Sequence, residues 1–440
     1  SLTSLNIRGI PGANTDEVYT FLASHLLQDN CRCRLGFLSC DAFQIVPDQA
    51  DLTYDRQQAA AGDEVEAPFR GGSPKGLMNA DGPPNQVIQL LAGVVKFNKH
   101  LTTLRIANGL NNKGATALAT AMRENRKLEH LDISGQHMIG VKGIVELSTA
   151  IRAHKKLQSF KVDGTPLPVI QLKTETDRLN VAHWELGKDS GYAMGTILKS
   201  NSQLSSLNLA NNEIGATGVD AVVKGLSESQ LKTIDLSRNG LQAAGDETTI
   251  EMLSMSICRN LGLLTELKID DNELTCDGSA LAPLCKLRSL RTLSLEKNRL
   301  PQLPPLIGAL LSLRRLLLFS NQLTELPASL CLLTTLEVLD VHKNMINSLP
   351  SVIGKLTTLT KLDISENKLS ELPISICELS EELQFSVGRN PLTKPSVEQA
   401  RQGIGAIRRF FTWSPSKEDA SVGTSQLQAQ PGTEMVAGGK

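Results

Sequence analysis

Apolar residues recur in one frame along most of the chain. From Leu290 the sequence reads LRTLSLEKNRL, then LRRLLLFSNQL from Leu313, LEVLDVHKNMI from Leu336 and LTKLDISENKL from Leu359. Asn298, Asn321, Asn344, Asn367 and Asn390 stand 23 residues apart, and a Leu-Pro pair lies between them at 303–304, 326–327, 349–350 and 372–373. A fixed period of this kind marks stacked units rather than separate globules. Side chains alternate along a strand, so the two apolar positions of each L-x-L share one face. Short parallel strands stacked in register then feed one continuous aliphatic core.

The frame continues upstream with longer spacing. Leu264, Leu267, Ile269 and Asn272 form one unit, Leu231, Ile234, Leu236 and Asn239 another, and Leu204, Leu207, Leu209 and Asn212 a third. Between them, stretches such as 114–127 and 215–229 carry apolar residues at helical spacing, as Ala117, Leu118, Ala121 and Met122 show. Weaker units follow at Leu179/Val181, Phe160/Val162, Leu131/Ile133, Leu104/Ile106, Leu38/Cys40 and Leu5/Ile7, giving fourteen candidate repeats with a degenerate last one at Phe385 and Val387. Eight successive repeats, from Asn212 to Asn390, keep the asparagine, whereas Gln136, Thr165 and Trp184 occupy its slot earlier. An amide there turns the chain out of the strand and pairs backbone groups of neighbouring coils. Each such group left buried and unpaired costs about 1–3 kcal/mol.

The predicted organisation follows. Residues 1–45 hold the first repeats and 46–86, rich in Pro, Gly, Ala and acids, form a flexible insertion. Residues 87–286 hold helix-backed repeats and 287–394 the thinner 23-residue Leu-Pro repeats. Segment 242–260 lengthens one repeat and enlarges its convex helix. A helix over 395–411, opened by a capping box at Ser396 and Gln399, covers the last apolar layer. Residues 412–440 read as a disordered tail. The chain opens at Ser1 within a leucine pattern, which reads as a fragment of a longer protein.

Composition agrees with a core of many similar layers: leucine accounts for 69 residues and aromatics for 3%. Lys+Arg 45 against Asp+Glu 46 leaves a net charge of −1, which argues against nucleic-acid binding driven by bulk charge. No apolar run is long enough for a membrane span. Eight cysteines are too sparse for a disulfide scaffold, and Cys31, Cys33 and Cys40 lack a histidine partner for a metal site. With no N-x-[ST] sequon present, the expected compartment is cytoplasmic.

The motif L-x-x-L-x-L-x-x-N-x-L is that of leucine-rich repeats, and the sequence resembles that family from end to end of its frame. The implied fold is an α/β solenoid, a horseshoe with a parallel concave sheet. The helix-backed part resembles ribonuclease-inhibitor-like arrays. Residues 287–411, including the closing segment RNPLTKPSVEQARQGIGAIRRFF, resemble intracellular plant-type and Ras-group-related leucine-rich-repeat proteins.

Catalytic signatures are lacking. The seven histidines show no H-E-x-x-H spacing, and no G-x-S-x-G elbow or phosphate loop occurs, so neither an enzyme nor a cofactor or metal site is expected. Asp132, Asp235, Asp340 and Asp363 recur in one slot, which is common in ordinary repeats of this family. Function is therefore placed on the concave sheet. Alternation turns Thr292, Ser294 and Glu296 inward on one repeat, then Arg315, Leu317 and Phe319, then Val338, Asp340 and His342, then Lys361, Asp363 and Ser365. Leu317, Phe319 and Val338 are expected to be exposed apolar residues rimmed by charge, as at a partner-binding hot spot. His342, beside Lys343, is expected to be a solvated surface histidine. The resulting expectation is a non-catalytic scaffold that binds a protein partner through Thr292, Arg315, Leu317, Phe319, Val338, Asp340, His342, Lys361 and Asp363, as a platform in signalling. Resemblance to the Ran GTPase-activating protein and to ribonuclease inhibitor implies two alternatives: a regulator of a small GTPase, or an enzyme inhibitor. Against the former, residues 412–440 hold only Glu418, Asp419 and Glu434 as acids where that family has a strongly acidic tail.

Overall fold

A computed structural model describes residues 86–107, 109–174, 176–242 and 247–412, with the short pieces 4–6, 18, 21–23, 37–39, 44–45 and 51–54. Seventeen short strands of two to four residues are described, most of them formed by the L-x-x-L-x-L motifs. They run from β1 (Ser4–Asn6), β2 (Phe37–Ser39), β3 (Gln44–Ile45) and β4 (Asp51–Tyr54) through β5 (Thr103–Ile106), β6 (His130–Asp132), β7 (Ser159–Lys161) and β8 (Leu167–Pro168). The series continues with β9 (Arg178–Asn180), β10 (Ser206–Asn208), β11 (Thr233–Asp235), β12 (Glu266–Lys268) and β13 (Thr292–Ser294), then β14 (Arg315–Leu317), β15 (Val338–Asp340), β16 (Lys361–Asp363) and β17 (Gln384–Ser386). The strands β9 to β17 form one nine-stranded sheet in strict sequence order. Every neighbouring pair in it is parallel and in register, with Leu207, Ile234, Leu267, Leu293, Leu316, Leu339 and Leu362 aligned across the stack. These side chains are almost wholly enclosed, as are the next apolar residues, Leu295, Leu318, Val341 and Ile364. The expected α/β solenoid of leucine-rich repeats is therefore present.

Upstream the sheet is interrupted. A five-stranded sheet holds β4 to β8, and β8 folds back antiparallel on β7. Pro168, at the end of that short strand, has no N–H to give a further ladder. Part of the stretch read as an insertion is also strand: β4 pairs in parallel with β5, Asp51 opposite Thr103, and Leu52 is buried. Its D-L-T-Y alternation supplies the apolar residue that the L-x-L frame needs, which composition alone concealed. The remainder of 46–85, the segment around Cys31 to Cys33, and the tail beyond Thr412 lie outside the described residues.

The convex layer changes with repeat length. Helices Asn112–Glu124, Val141–Ala153, Lys188–Leu198, Gly215–Gly225 and Glu247–Asn260 back the longer repeats. From Ala282 to Glu378 only short 3-10 turns remain, such as Ile307–Ala309, Ala328–Leu332 and Ile353–Lys355. A 23-residue coil leaves too few residues for a full helix between strands. Close packing of two helices depends on glycine: a Cβ on Gly195 would lie 2.1 Å from the Ala221 carbonyl oxygen, and one on Gly225 would lie 2.0 Å from that of Gly195.

Asparagine side chains stitch adjacent coils. Asn344 Nδ2 donates to the Leu318 and Val341 carbonyls, both at 3.0 Å, and its Oδ1 accepts the Leu323 N–H at 3.0 Å. Asn367 repeats this one coil on, donating to Val341 and Ile364 and accepting from Ile346. Gln136 performs the same two tasks upstream, toward the Ile106 carbonyl and the Leu110 N–H. A second ladder lies where the convex side returns to the strands. Asn98, Asn125, His154 and Asn201 each accept two backbone N–H groups of the following loop.

At the C-terminal end the expected single helix is two: Val397–Ala400, opened by the Ser396–Gln399 capping box, and Ile404–Thr412. Gly403, at φ 93°, breaks them. Ala400, Ile404 and Ile407 are fully buried, and Arg408 donates to the Cys377 and Leu379 carbonyls of the last coil.

Candidate functional site on the concave sheet

Three side-chain rows cross the inner face of β13 to β16. Register places Thr292, Arg315, Val338 and Lys361 in one row and Ser294, Leu317, Asp340 and Asp363 in the next. Glu296, Phe319 and His342 follow just beyond the strand ends, linked by Lys297 N–H to the Phe319 carbonyl and Ser320 N–H to that of His342. All nine partner-binding residues named from the sequence thus share one surface. Arg315 is exposed and enters no salt bridge among the described residues.

Several side chains are less free than alternation suggested. Leu317, Phe319 and Val338 are half-buried rather than exposed, because strands only one ladder spacing apart crowd each inward side chain. The Phe319 ring stacks on His342, with centroids 4.0 Å apart and planes 11° from parallel. Lys343 Nζ stands 5.8 Å from the same ring. His342 is not a solvated histidine: its Nδ1 lies 2.6 Å from Asp340 Oδ1. Asp340 itself is buried at 8% exposure, with Lys361 Nζ 3.9 Å from Oδ2. Ser294 is buried too, its hydroxyl donating to Asp270. Asp363 accepts from the Ser365 N–H and hydroxyl.

Asp340, His342 and Asp363 offer one ligand atom each within 4.8 Å of one another, a set able to hold a metal ion. In this arrangement His342 and Lys361 already engage both Asp340 oxygens.

Toward the N-terminal side the face turns acidic. Asp270 Oδ1 accepts the Ser294 hydroxyl at 2.6 Å and the Glu296 N–H at 2.8 Å. Burial raises the Asp270 pKa above the usual carboxylate range, reinforced by Asp235 and opposed by those two hydrogen bonds and by Lys268. Burial also raises Glu296, helped by the negative charges of Asp270 and Asp340. Neither carboxylate forms a salt bridge among the described residues, whereas Lys268 pairs with Glu266 at 3.2 Å. Beyond them a polar hollow of about 220 Å³ is lined by Ser206, Asn208, Thr233, Asp235, Glu266 and Lys268.

One edge of the sheet carries a feature that the leucine frame does not show. The residue before each asparagine adopts positive φ although it is not glycine: Asn211, Arg238, Asp271, Lys297, Ser320, Lys343, Glu366 and Arg389, at 51–57°. This bend carries the chain off the strand and lines up a rim of polar side chains, on which Arg238 bonds Asp271 and Asn211, and Arg389 bonds Glu366.

Two segments match family models for leucine-rich repeats, at residues 200–223 and 358–379. No curated protein matches the sequence. Solved structures with similar chains include an internalin of Listeria monocytogenes, 17% identical, covering 69% of this chain and 71% of that one at a TM-score of 0.37. A leucine-rich-repeat protein of Leptospira interrogans is 22% identical over 80% and 74% of the two chains, at a TM-score of 0.36. The leucine-rich-repeat ectodomain of a plant membrane receptor kinase from Arabidopsis thaliana, solved in complex with CASPARIAN STRIP INTEGRITY FACTOR 2, is 19% identical over 71% and 46%, at a TM-score of 0.36. No described helix is long and apolar enough to cross a membrane. The repeating motif, the stacked parallel coils and the two matched segments agree that this chain carries leucine-rich repeats in an α/β solenoid fold.

Proposed function

We propose that the chain is a non-catalytic scaffold that grips a protein partner on the concave face of β13 to β16, as a platform in cytoplasmic signalling. The carrying observation is the shelf of Leu317, Phe319 and Val338, flanked by Lys361, by Asp340 and by Arg315, which has no salt bridge among the described residues. Apolar area beside fixed charges, at the centre of a concave surface, is the composition of a binding hot spot. The sheet holds it rigid through parallel ladders and the asparagine stitches, so little ordering entropy is lost on binding. Buried cysteines suit a reducing compartment: among the described residues Cys276, Cys285 and Cys331 are free and enclosed, with burial pushing Cys276 and Cys285 up to about 11.

The test is affinity capture from source-cell extract with the wild-type chain and with Arg315→Glu/Val338→Ser. Loss of a captured protein at unchanged melting temperature supports the reading. An unchanged capture profile overturns it. Adding the chain to small GTPases and measuring GTP hydrolysis tests the regulator alternative in the same preparation.

A further inference from the structure

We infer that the partner enters as an extended peptide with a basic side chain at one position and a large apolar side chain two residues away. The basic group faces Asp270 and Glu296, and the apolar group lies on Phe319. This deepens the concave-face reading and rests on it.

Charge complementarity and spacing carry the inference. Asp270 and Glu296 are adjacent carboxylates without a salt-bridge partner among the described residues, whereas Glu266 is paired with Lys268, and Asp340 with His342 and Lys361. Two such groups, partly buried beside one another, repel, and an incoming cation relieves that repulsion. Burial raises the proton affinity of both, and the charge of Asp270 adds to that of Glu296. One strand further on the chemistry changes to aliphatic and aromatic. Glu296 and Phe319 are lateral neighbours, about 4.8 Å apart at the ladder spacing, and Asp270 lies one strand beyond Glu296. The midpoint of the carboxylate pair and Phe319 thus lie one and a half ladder spacings, about 7 Å, apart. An extended peptide rises about 3.3 Å per residue and repeats its side-chain direction every second residue, which also comes to about 7 Å. A backbone running across the strands therefore delivers alternate side chains to the two sites. An acidic partner meets repulsion at Asp270 and Glu296, and a helical one presents its side chains at other intervals.

The test is an array of synthetic decapeptides on a Gly/Ser background, probed with the full chain. The series carries Arg-x-Leu, Leu-x-Arg, Arg-Leu, Arg-x-x-x-Leu, Glu-x-Leu, and Arg or Leu alone. Retention of the Arg and Leu pair at the two-residue spacing, lost at least tenfold with Asp270→Asn/Glu296→Gln and again with Phe319→Ser, is the expected result. Circular dichroism checks that both variants fold. Binding independent of spacing, or of those substitutions, overturns the inference, as does preference for Glu-x-Leu. Should a protein captured through Arg315 and Val338 bind Asp270→Asn/Glu296→Gln as well as wild type, the inference fails while the concave-face reading stands. Should capture ignore every concave substitution, both fail.

Discussion

The asparagine ladder makes a prediction that is sharper for pairs than for single residues. Asn344→Ala removes two donors and one acceptor, but the losses are unequal. The Leu318 carbonyl also accepts from Asn321 Nδ2 at 3.1 Å, and the Val341 carbonyl from Asn367 Nδ2 at 2.9 Å. Both carbonyls therefore keep one partner. The Leu323 N–H does not, since Asn344 Oδ1 is its acceptor and Leu323 is fully buried. One orphaned buried N–H costs about 1–3 kcal/mol, and two weakened carbonyls add about 1 kcal/mol, so each single substitution should cost about 2–4 kcal/mol. The double variant Asn344→Ala/Asn367→Ala takes both donors from the Val341 carbonyl. Its cost should exceed the sum of the singles by about 1–3 kcal/mol. Asn321 and Asn367 share no carbonyl, since Asn321 serves Leu295 and Leu318 and Asn367 serves Val341 and Ile364. Their double variant should be additive to within about 0.5 kcal/mol. Urea unfolding of the six proteins measures both cycles. Equal coupling in the two, or none in the adjacent pair, would refute the shared-carbonyl account.

The remaining predictions concern the convex side and the ends. Gly195→Ala and Gly225→Ala drive a methyl into backbone carbonyls and should each cost about 1–3 kcal/mol by differential scanning fluorimetry. Arg408→Ala frees carbonyls at Cys377 and Leu379 and should cost about 1–3 kcal/mol, with hydrogen exchange rising first in the last coil. Burial lowers the His154 pKa below its ordinary 6.5, with Lys173 and Arg126 adding to it and the Asn125 backbone opposing. A base whose folded pKa is depressed contributes fully above the unfolded value, and stability is lost as pH falls below about 6.5. His154→Asn keeps the acceptor that Asn98, Asn125 and Asn201 provide in the same slot, so its urea midpoint should fall less than that of wild type between pH 7.5 and 5.5. An equal fall in both removes His154 from the account.

What recurs along a chain is legible in it, and the solenoid is made of what recurs. Leu293, Leu316, Leu339 and Leu362 occupy one slot because one core layer demands the same aliphatic shape each time, so strands and register could be read from spacing. Contacts that differ from coil to coil left no period. The stitch at the convex return uses three asparagines and one histidine, and the alternation rule cannot show that His342 turns onto Phe319 and Asp340 instead of into water. Positive φ at Arg238, Lys297 or Glu366 is invisible because any residue stands there, the bend being imposed by the strand on one side and the buried asparagine on the other. The break after β7 had a visible cause in Pro168, but its effect depends on a foldback that local pattern does not encode. For the site, the inward rows followed from alternation alone. The Asp270–Glu296 pair was missed because its members belong to different repeats and touch only once the coils stack.

The central claim is that the partner sits in the hollow of the horseshoe, and photo-cross-linking tests it most directly. A benzophenone amino acid is placed at Thr292 or Val338 on the concave rows, and at Leu306 or Leu332, which are 62% and 56% exposed on the convex side. Covalent adducts with the captured partner should form from Thr292 and Val338 and not from Leu306 or Leu332. Adducts from the convex positions alone would contradict the account.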